Sequence, residues 1–168
     1  MWALAESEER WHFALSANED GVWDWHVQEN RTYVSDRYWE ILEYPPGGVT
    51  PTYETWVQSI HPDDRDRVVA QMIAHMNGQI DNFRSEYRAL TSHGSYKWLL
   101  DRGRVMNRSV GGEPLRVVGT ISDITAHKKL EEAFVESQLR WRFALEGSRD
   151  GVWDWNPSTG GAYFSADR

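Results

Sequence analysis

The sequence predicts an α+β domain: an antiparallel sheet of about five strands with short helices on one face, a helix before it and a long helix after it. Three observations lead there. Turn residues divide the chain into helix, two strands, several short helices, three strands and a final helix. Strands and helices are segregated, as in α+β folds, not alternating as in parallel sheets. An internal repeat, described below, marks out one unit of ordinary domain size.

The elements follow in order. Residues 1–17 form the N-terminal helix, with Trp11, Ala14 and Leu15 at helical spacing. Asn18-Glu19-Asp20-Gly21 breaks it. Val22 to Val27 is rich in β-formers, and Gln28-Glu29-Asn30 turns it into a second strand at Thr32-Tyr33-Val34. Ser35 or Asp36 caps a short helix through Tyr38, Trp39, Ile41 and Leu42, which Pro45-Pro46-Gly47-Gly48 ends. Thr52 to Ile60 is another short helix. His61-Pro62-Asp63-Asp64 starts the next, with proline at a first-turn position and carboxylates at the positive end of the helix dipole. Val68, Val69, Met72, Ile73 and Met76 are its apolar stripe, and Gly78 stops it. Three strands follow: Phe83 to Leu90, Tyr96 to Met106 and Leu115 to Ser122, turned at Ser92-His93-Gly94 and Gly111-Gly112. The first hairpin is expected to pair with the last. A linker helix over 125–147 carries Leu130, Phe134, Trp141 and Ala144 near heptad spacing, with Ser137 as its weak point.

The repeat is exact in spacing. Arg10-Trp11-His12-Phe13-Ala14-Leu15 and Asp20-Gly21-Val22-Trp23-Asp24-Trp25 recur as Arg140-Trp141-Arg142-Phe143-Ala144-Leu145 and Asp150-Gly151-Val152-Trp153-Asp154-Trp155, so Arg10 to Arg140 and Trp25 to Trp155 are both offsets of 130. That is a domain period, longer than the ~20–50 residues of a solenoid. The expected organisation is one domain over 18–124, the linker, and the start of a second copy over 148–168 that continues beyond Arg168. The second copy's hairpin has no sheet of its own, so it is expected to be poorly ordered or to pair with another chain.

Composition narrows the function. The net charge of −8 argues against nucleic acid and anionic membranes as partners. There is no cysteine, which removes disulfides, thiolate metal sites and thiol nucleophiles. No apolar run approaches the ~20 residues of a membrane span, the start lacks signal-peptide features, and a cytoplasmic location is expected. No phosphate loop, nucleophile elbow or zinc-protease motif is present, so no catalytic residues are assigned and the fragment is not expected to be an enzyme.

Asp20-Gly21-Val22-Trp23-Asp24-Trp25, His61-Pro62-Asp63-Asp64-Arg65, Glu86-Tyr87-Arg88, Gly94-Ser95-Tyr96-Lys97-Trp98 and Val118-Gly119-Thr120-Ile121-Ser122-Asp123-Ile124-Thr125 together resemble a PAS domain with its PAC segment. The resemblance covers nearly the whole unit, with its motifs in order. It implies a sheet cupped around a pocket, and an input module of a tandem bacterial sensor protein of the histidine kinase or diguanylate cyclase type. Such a module acts through a downstream output domain and a homodimer formed by the N-terminal and linker helices. The candidate pocket set is Trp23, Trp25, Tyr38, Ile73, Tyr87, Trp98, Leu100, Val118 and Thr120. The candidate signal relay is Asp123, Ile124 and Thr125, with Thr125 as a helix cap.

The cofactor is left open. Flavin photochemistry that needs a cysteine is excluded. Non-covalent flavin stacked on tryptophan stays open, against simple packing of Trp23, Trp25 and Trp98. Haem needs an axial ligand, and His75 on the long helix is the candidate, against a surface histidine or a partner of the helix C-terminal dipole. No metal site is expected. Asp24 reads either as a pocket anion or as an ion pair with Arg102 or Arg104. Glu86 and Arg88 read as cross-strand ion-pair members and His61 as part of a cap. The rival readings are a ligand-free dimerisation module and a haem or flavin redox sensor.

Overall fold

A computed structural model describes residues 19–148 and 153–164; the expected N-terminal helix, including Trp11 and His12, lies outside them. The chain divides into two units, one through Thr125 and one from Ala126.

In the first unit, strand β1 (Gly21–His26) turns into β2 (Arg31–Val34). Two short helices, α1 (Asp36–Leu42) and α2 (Tyr53–Ser59), and a longer one, α3 (Pro62–Met76), follow. Strands β3 (Phe83–Leu90), β4 (Tyr96–Arg108) and β5 (Pro114–Asp123) complete the sheet. Its order is β2-β1-β5-β4-β3, and every neighbouring pair is antiparallel. The expected α+β fold is present, and the first hairpin joins the last through β1 and β5.

Each helix start has a chemical reason. Ser35 Oγ accepts from the Tyr38 N–H at the head of α1 and from Val22 N–H of β1 at 2.9 Å, so one hydroxyl ties helix to strand. Thr52 and Thr55 exchange hydrogen bonds in a capping box at α2. The His61 ring accepts from Asp63 N–H at α3, with Pro62 in the first turn, so His61 is a cap. Asp64 then accepts three bonds from Arg88 of β3, two from the guanidinium at 2.9 Å and one from the backbone N–H at 3.0 Å. That clamp fastens α3 to the sheet and holds the Asp64 carboxyl below its usual range, chiefly through the Arg88 hydrogen bonds. Arg88 therefore pairs with a helix, not across the strands, and lies over the Trp98 ring.

Alternation along the strands decides which face is inner. Trp23 and Trp25, Phe83, Ser85 and Tyr87, Leu99 and Asp101, and Val117, Gly119 and Ile121 are buried, and the residues that alternate with them are more exposed. With Ile41 and Leu42 of α1, Ile60 after α2, and Val68 and Met72 of α3, the apolar side chains among them form the core.

In the second unit, helix α4 (Thr125–Ser148) precedes a two-stranded sheet of β6 (Trp153–Trp155) and β7 (Ala162–Phe164). Its pairings, Trp153 with Phe164 and Trp155 with Ala162, repeat those of Trp23 with Val34 and Trp25 with Thr32 at the same offset. The environment differs. Trp23 and Trp25 are 7% and 8% exposed, Trp153 and Trp155 69% and 57%. The second hairpin has the local register of the first without a neighbouring sheet strand among the described residues. Along α4, Leu130, Phe134 and Trp141 are all exposed. No helix among the described residues is long and apolar enough to cross a membrane.

Candidate functional site

The inner face of the sheet carries a buried carboxylate. Asp101, in the middle of β4, is 2% exposed. Trp23 of β1 donates its indole N–H to Asp101 Oδ1 at 2.9 Å, and Tyr87 of β3 donates its hydroxyl to Oδ2 at 2.8 Å. Trp56 of α2 in turn donates to the Tyr87 oxygen at 2.9 Å. The resulting chain joins α2, β3, β4 and β1 through side chains alone.

Two glycines make this possible. Trp23 reaches Asp101 by lying across β5 and β4, where Gly119 faces Gly103. A Cβ on Gly103 would come within 2.5 Å of the Trp23 ring, and one on Gly119 within 2.3 Å of it and 2.1 Å of the Arg102 carbonyl oxygen. Strand-interior glycine here is the bed on which an indole rests.

Burial dominates the electrostatics. It pushes the Asp101 carboxyl up to about 7, against the hydrogen bonds from Tyr87 and Trp23 that favour the charged form. Burial and the nearby Asp101 push the Tyr87 hydroxyl well above its usual value, and Tyr38 is raised for the same reasons.

Beside this chain lies a cavity of about 90 Å³ between the sheet and helices α1 and α2. Trp23, Trp25, Tyr38, Trp39, Tyr44, Tyr53, Trp56 and Asp101 line it, with hydroxyls from Thr32, Thr52, Thr55 and Ser59. Trp25 stacks on Tyr53, with ring centroids 5.3 Å apart. Its indole N–H is buried without a hydrogen-bond partner among the described residues.

Trp23, Trp25 and Tyr38 of the candidate pocket set line this cavity. Tyr87 stands behind it, bound to Asp101. The structure separates the other five from it. Trp98 and Leu100 alternate with buried Leu99 and Asp101 and so lie on the outer face of β4; Val118 and Thr120 lie likewise on the outer face of β5. Ile73 is 47% exposed on α3. Sequence reasoning missed Asp101, Gly103 and Gly119. A carboxylate in mid-strand next to leucine, and glycines inside strands, were the available signals.

The relay residues meet at one joint. Asp123 Oδ1 accepts from Thr125 N–H at 3.0 Å, so Asp123, not Thr125, caps the helix start. Thr125 Oγ1 instead accepts from Trp98 N–H at 3.1 Å, and Ile124 N–H donates to the Trp98 carbonyl at 2.9 Å. Lys97 donates to the Ile41 carbonyl at 2.8 Å and lies 3.7 Å from the Asp123 carboxylate. The end of β5 is thus fastened to the start of β4 and, through Lys97, to the end of α1, the helix whose Tyr38 and Trp39 line the cavity.

Two ionic expectations need correction. Asp24 pairs with Arg116 of β5, which donates at 2.8 and 2.6 Å, and not with Arg102 or Arg104. His75 is buried at 2% exposure, not at the surface. Its Nε2 accepts from Val105 N–H at 3.0 Å, which leaves Nδ1 to donate to the Ile80 carbonyl at 3.0 Å. With both ring nitrogens occupied, His75 is a structural bolt between α3 and β4 and is not placed to bind haem iron. Among the described residues no cluster of His, Asp and Glu is arranged to hold a metal ion.

Comparison with known proteins agrees with this geometry. A family model described as PAS fold matches residues 31–121, more than half of the chain. The chain is 27% identical over 144 residues to the probable diguanylate cyclase DgcE of Escherichia coli; the match takes in 86% of this chain and 13% of that protein. A solved structure of a sensory box histidine kinase/response regulator from Burkholderia thailandensis superposes with a TM-score of 0.69 at 34% identity, over 79% of this chain and 98% of that one. The N-terminal domain of a diguanylate cyclase with PAS/PAC sensor from Marinobacter aquaeolei gives 0.58 at 25% identity, over 65% and 98%.

Proposed function

The chain belongs to the PAS fold family and is a signal-transduction input module; we propose that it senses a small molecule in the aromatic cavity and passes the change through the Asp123–Thr125 joint into helix α4. The observation that carries this reading is the joint itself. Three consecutive residues at the helix start bond to the opening of β4 and to one another. A shift in the sheet therefore moves the first turn of α4 with it.

We further propose that α4 pairs with the same helix of a second copy. Leu130, Phe134, Ser137, Trp141 and Ala144 follow the alternating four-and-three spacing of a coiled-coil seam, and exposed Leu, Phe and Trp there favour burial in a parallel dimer. The repeated motifs and hairpin register support a tandem arrangement with a second sensor domain after α4. The parent is proposed to be a cytoplasmic histidine kinase or diguanylate cyclase. The chain spans 13% of the length of the curated cyclase that it matches, so most of such a parent is output and other domains.

The cavity weighs against haem and flavin. Its volume of about 90 Å³ is far below the ~300–1,000 Å³ of pockets for larger ligands. The same small volume favours, as a second reading, a dimerisation module with no ligand. Insertions in α4 of the full-length protein test transmission. A whole heptad inserted after Glu132 should preserve regulation, and half a heptad should break it. Regulation indifferent to helical phase would overturn the reading.

A further inference from the structure

The cavity lining has an uneven chemistry. Four tryptophans and three tyrosines surround it, and Asp101 is the charged residue among the described residues that line it. Neither lysine, arginine nor histidine is among them. Aromatic faces carry negative charge density and attract cations. An anion entering here would meet ring faces and a carboxylate with no counter-charge. A large planar cofactor exceeds the space. Both Asp101 oxygens already accept one hydrogen bond, yet each carboxylate oxygen has a second lone pair. The buried Trp25 indole N–H has no acceptor among the described residues, and Trp25 lines the cavity, so a ligand bearing a hydroxyl would supply one.

We propose that this cavity is a receptor for a small alkylammonium ion bearing a hydroxyl group, held by the tryptophan and tyrosine faces and by the Asp101 carboxylate. The inference rests on the reading of the cavity as the sensed site and names the class of ligand that it takes. Bound cation and proton compete for the same carboxylate, so binding weakens as pH falls below about 7. The titratable groups facing Asp101 from the other elements are phenols, Tyr38 from α1 and Tyr87 from β3, and burial raises both, so they stay neutral through this window. Trp23 and Trp56 complete its surroundings without titrating.

The test is a titration with choline chloride, read by tryptophan fluorescence and calorimetry at constant ionic strength. Dimethylbutanol, its neutral carbon isostere, is the control. Saturable choline binding at least tenfold tighter than the isostere is expected, weakening about fivefold from pH 7 to pH 6, as competition with one proton at a group titrating at about 7 requires. Asp101→Asn should reduce the preference at least fivefold and abolish the pH dependence. The wild-type comparison stands even if that variant folds poorly. Equal or tighter binding of the isostere overturns the cation assignment but leaves a small-molecule sensor. Binding of neither compound also overturns it, and the sensory reading then stands or falls separately on regulation by the Asp123–Thr125 joint.

Discussion

Replacing Asp101 by Asn should reverse sign in its effect on stability as pH rises. The carboxyl titrates near 3.8 when unfolded and at about 7 when folded. Between those values the folded state keeps a proton that the unfolded chain has released. Stability is therefore greatest below the unfolded value, falls as pH rises, and levels off above the folded value. Each pH unit in that window costs about 1.4 kcal/mol, so charging Asp101 costs about 4 kcal/mol in all. Asn keeps the shape and can accept from Trp23 while its amide donates to the Tyr87 oxygen. The Tyr87 hydroxyl then loses its acceptor, a penalty of about 1–2 kcal/mol. Urea unfolding at a series of pH values, on wild type and variant, checks this. Below about pH 4 the variant should be less stable by about 1–2 kcal/mol, and near pH 5 the two should be about equal, since about 1.7 kcal/mol of the charging cost already falls on the wild type there. Near pH 8.5 the variant should be more stable by about 2–3 kcal/mol. Groups common to both proteins cancel in the difference, which should swing by about 3 kcal/mol between pH 5 and pH 8.5. A difference constant to within about 0.5 kcal/mol would refute the argument that burial governs this carboxyl.

Gly119→Ala should lower stability by about 1–3 kcal/mol or more, because its methyl meets the Trp23 ring and a backbone oxygen at once; thermal unfolding, with near-ultraviolet circular dichroism for the tryptophan environment, measures it. Asp64→Ala should cost about 2–4 kcal/mol by removing the acceptor of three Arg88 hydrogen bonds and freeing α3 from β3; chemical denaturation gives the value. If α4 pairs as proposed, Phe134→Glu should shift the protein towards monomer in sedimentation experiments without changing the melting of the sheet domain, since this side chain is exposed.

Local chemistry made the fold legible. Gly-Pro punctuation, the caps at Ser35, Thr52 and His61, and the apolar stripe of α3 are written in short stretches of sequence, and each acts locally. The repeat supplied the domain period directly. The site was legible on β1, where Trp23 and Trp25 alternate with Val22 and Asp24 and only one phase is rich in tryptophan. It was not legible on β4 and β5. There Trp98 and Leu100 compete with Leu99, and Val118 with Val117, so both strand phases look apolar. Pairing with β1 and packing of the helices decide the inner face, and that information is not local. The misplacement of Asp24's partner has the same origin: Arg116, Arg102 and Arg104 are alike in sequence, and only the register of β5 against β1 selects Arg116. Asp101 became visible only once Trp23, Tyr87 and Trp56 were seen to converge on it.

Transmission through the sheet-to-helix joint is the central claim, and output from the full-length protein carrying Asp123→Ala and Thr125→Ala tests it most directly. The double substitution removes the Asp123 cap and the Thr125 acceptor while leaving the core untouched. The account predicts a sheet domain that unfolds much as the wild type does, a basal output that persists, and no response of that output to the input signal. A full response in the double variant would contradict it.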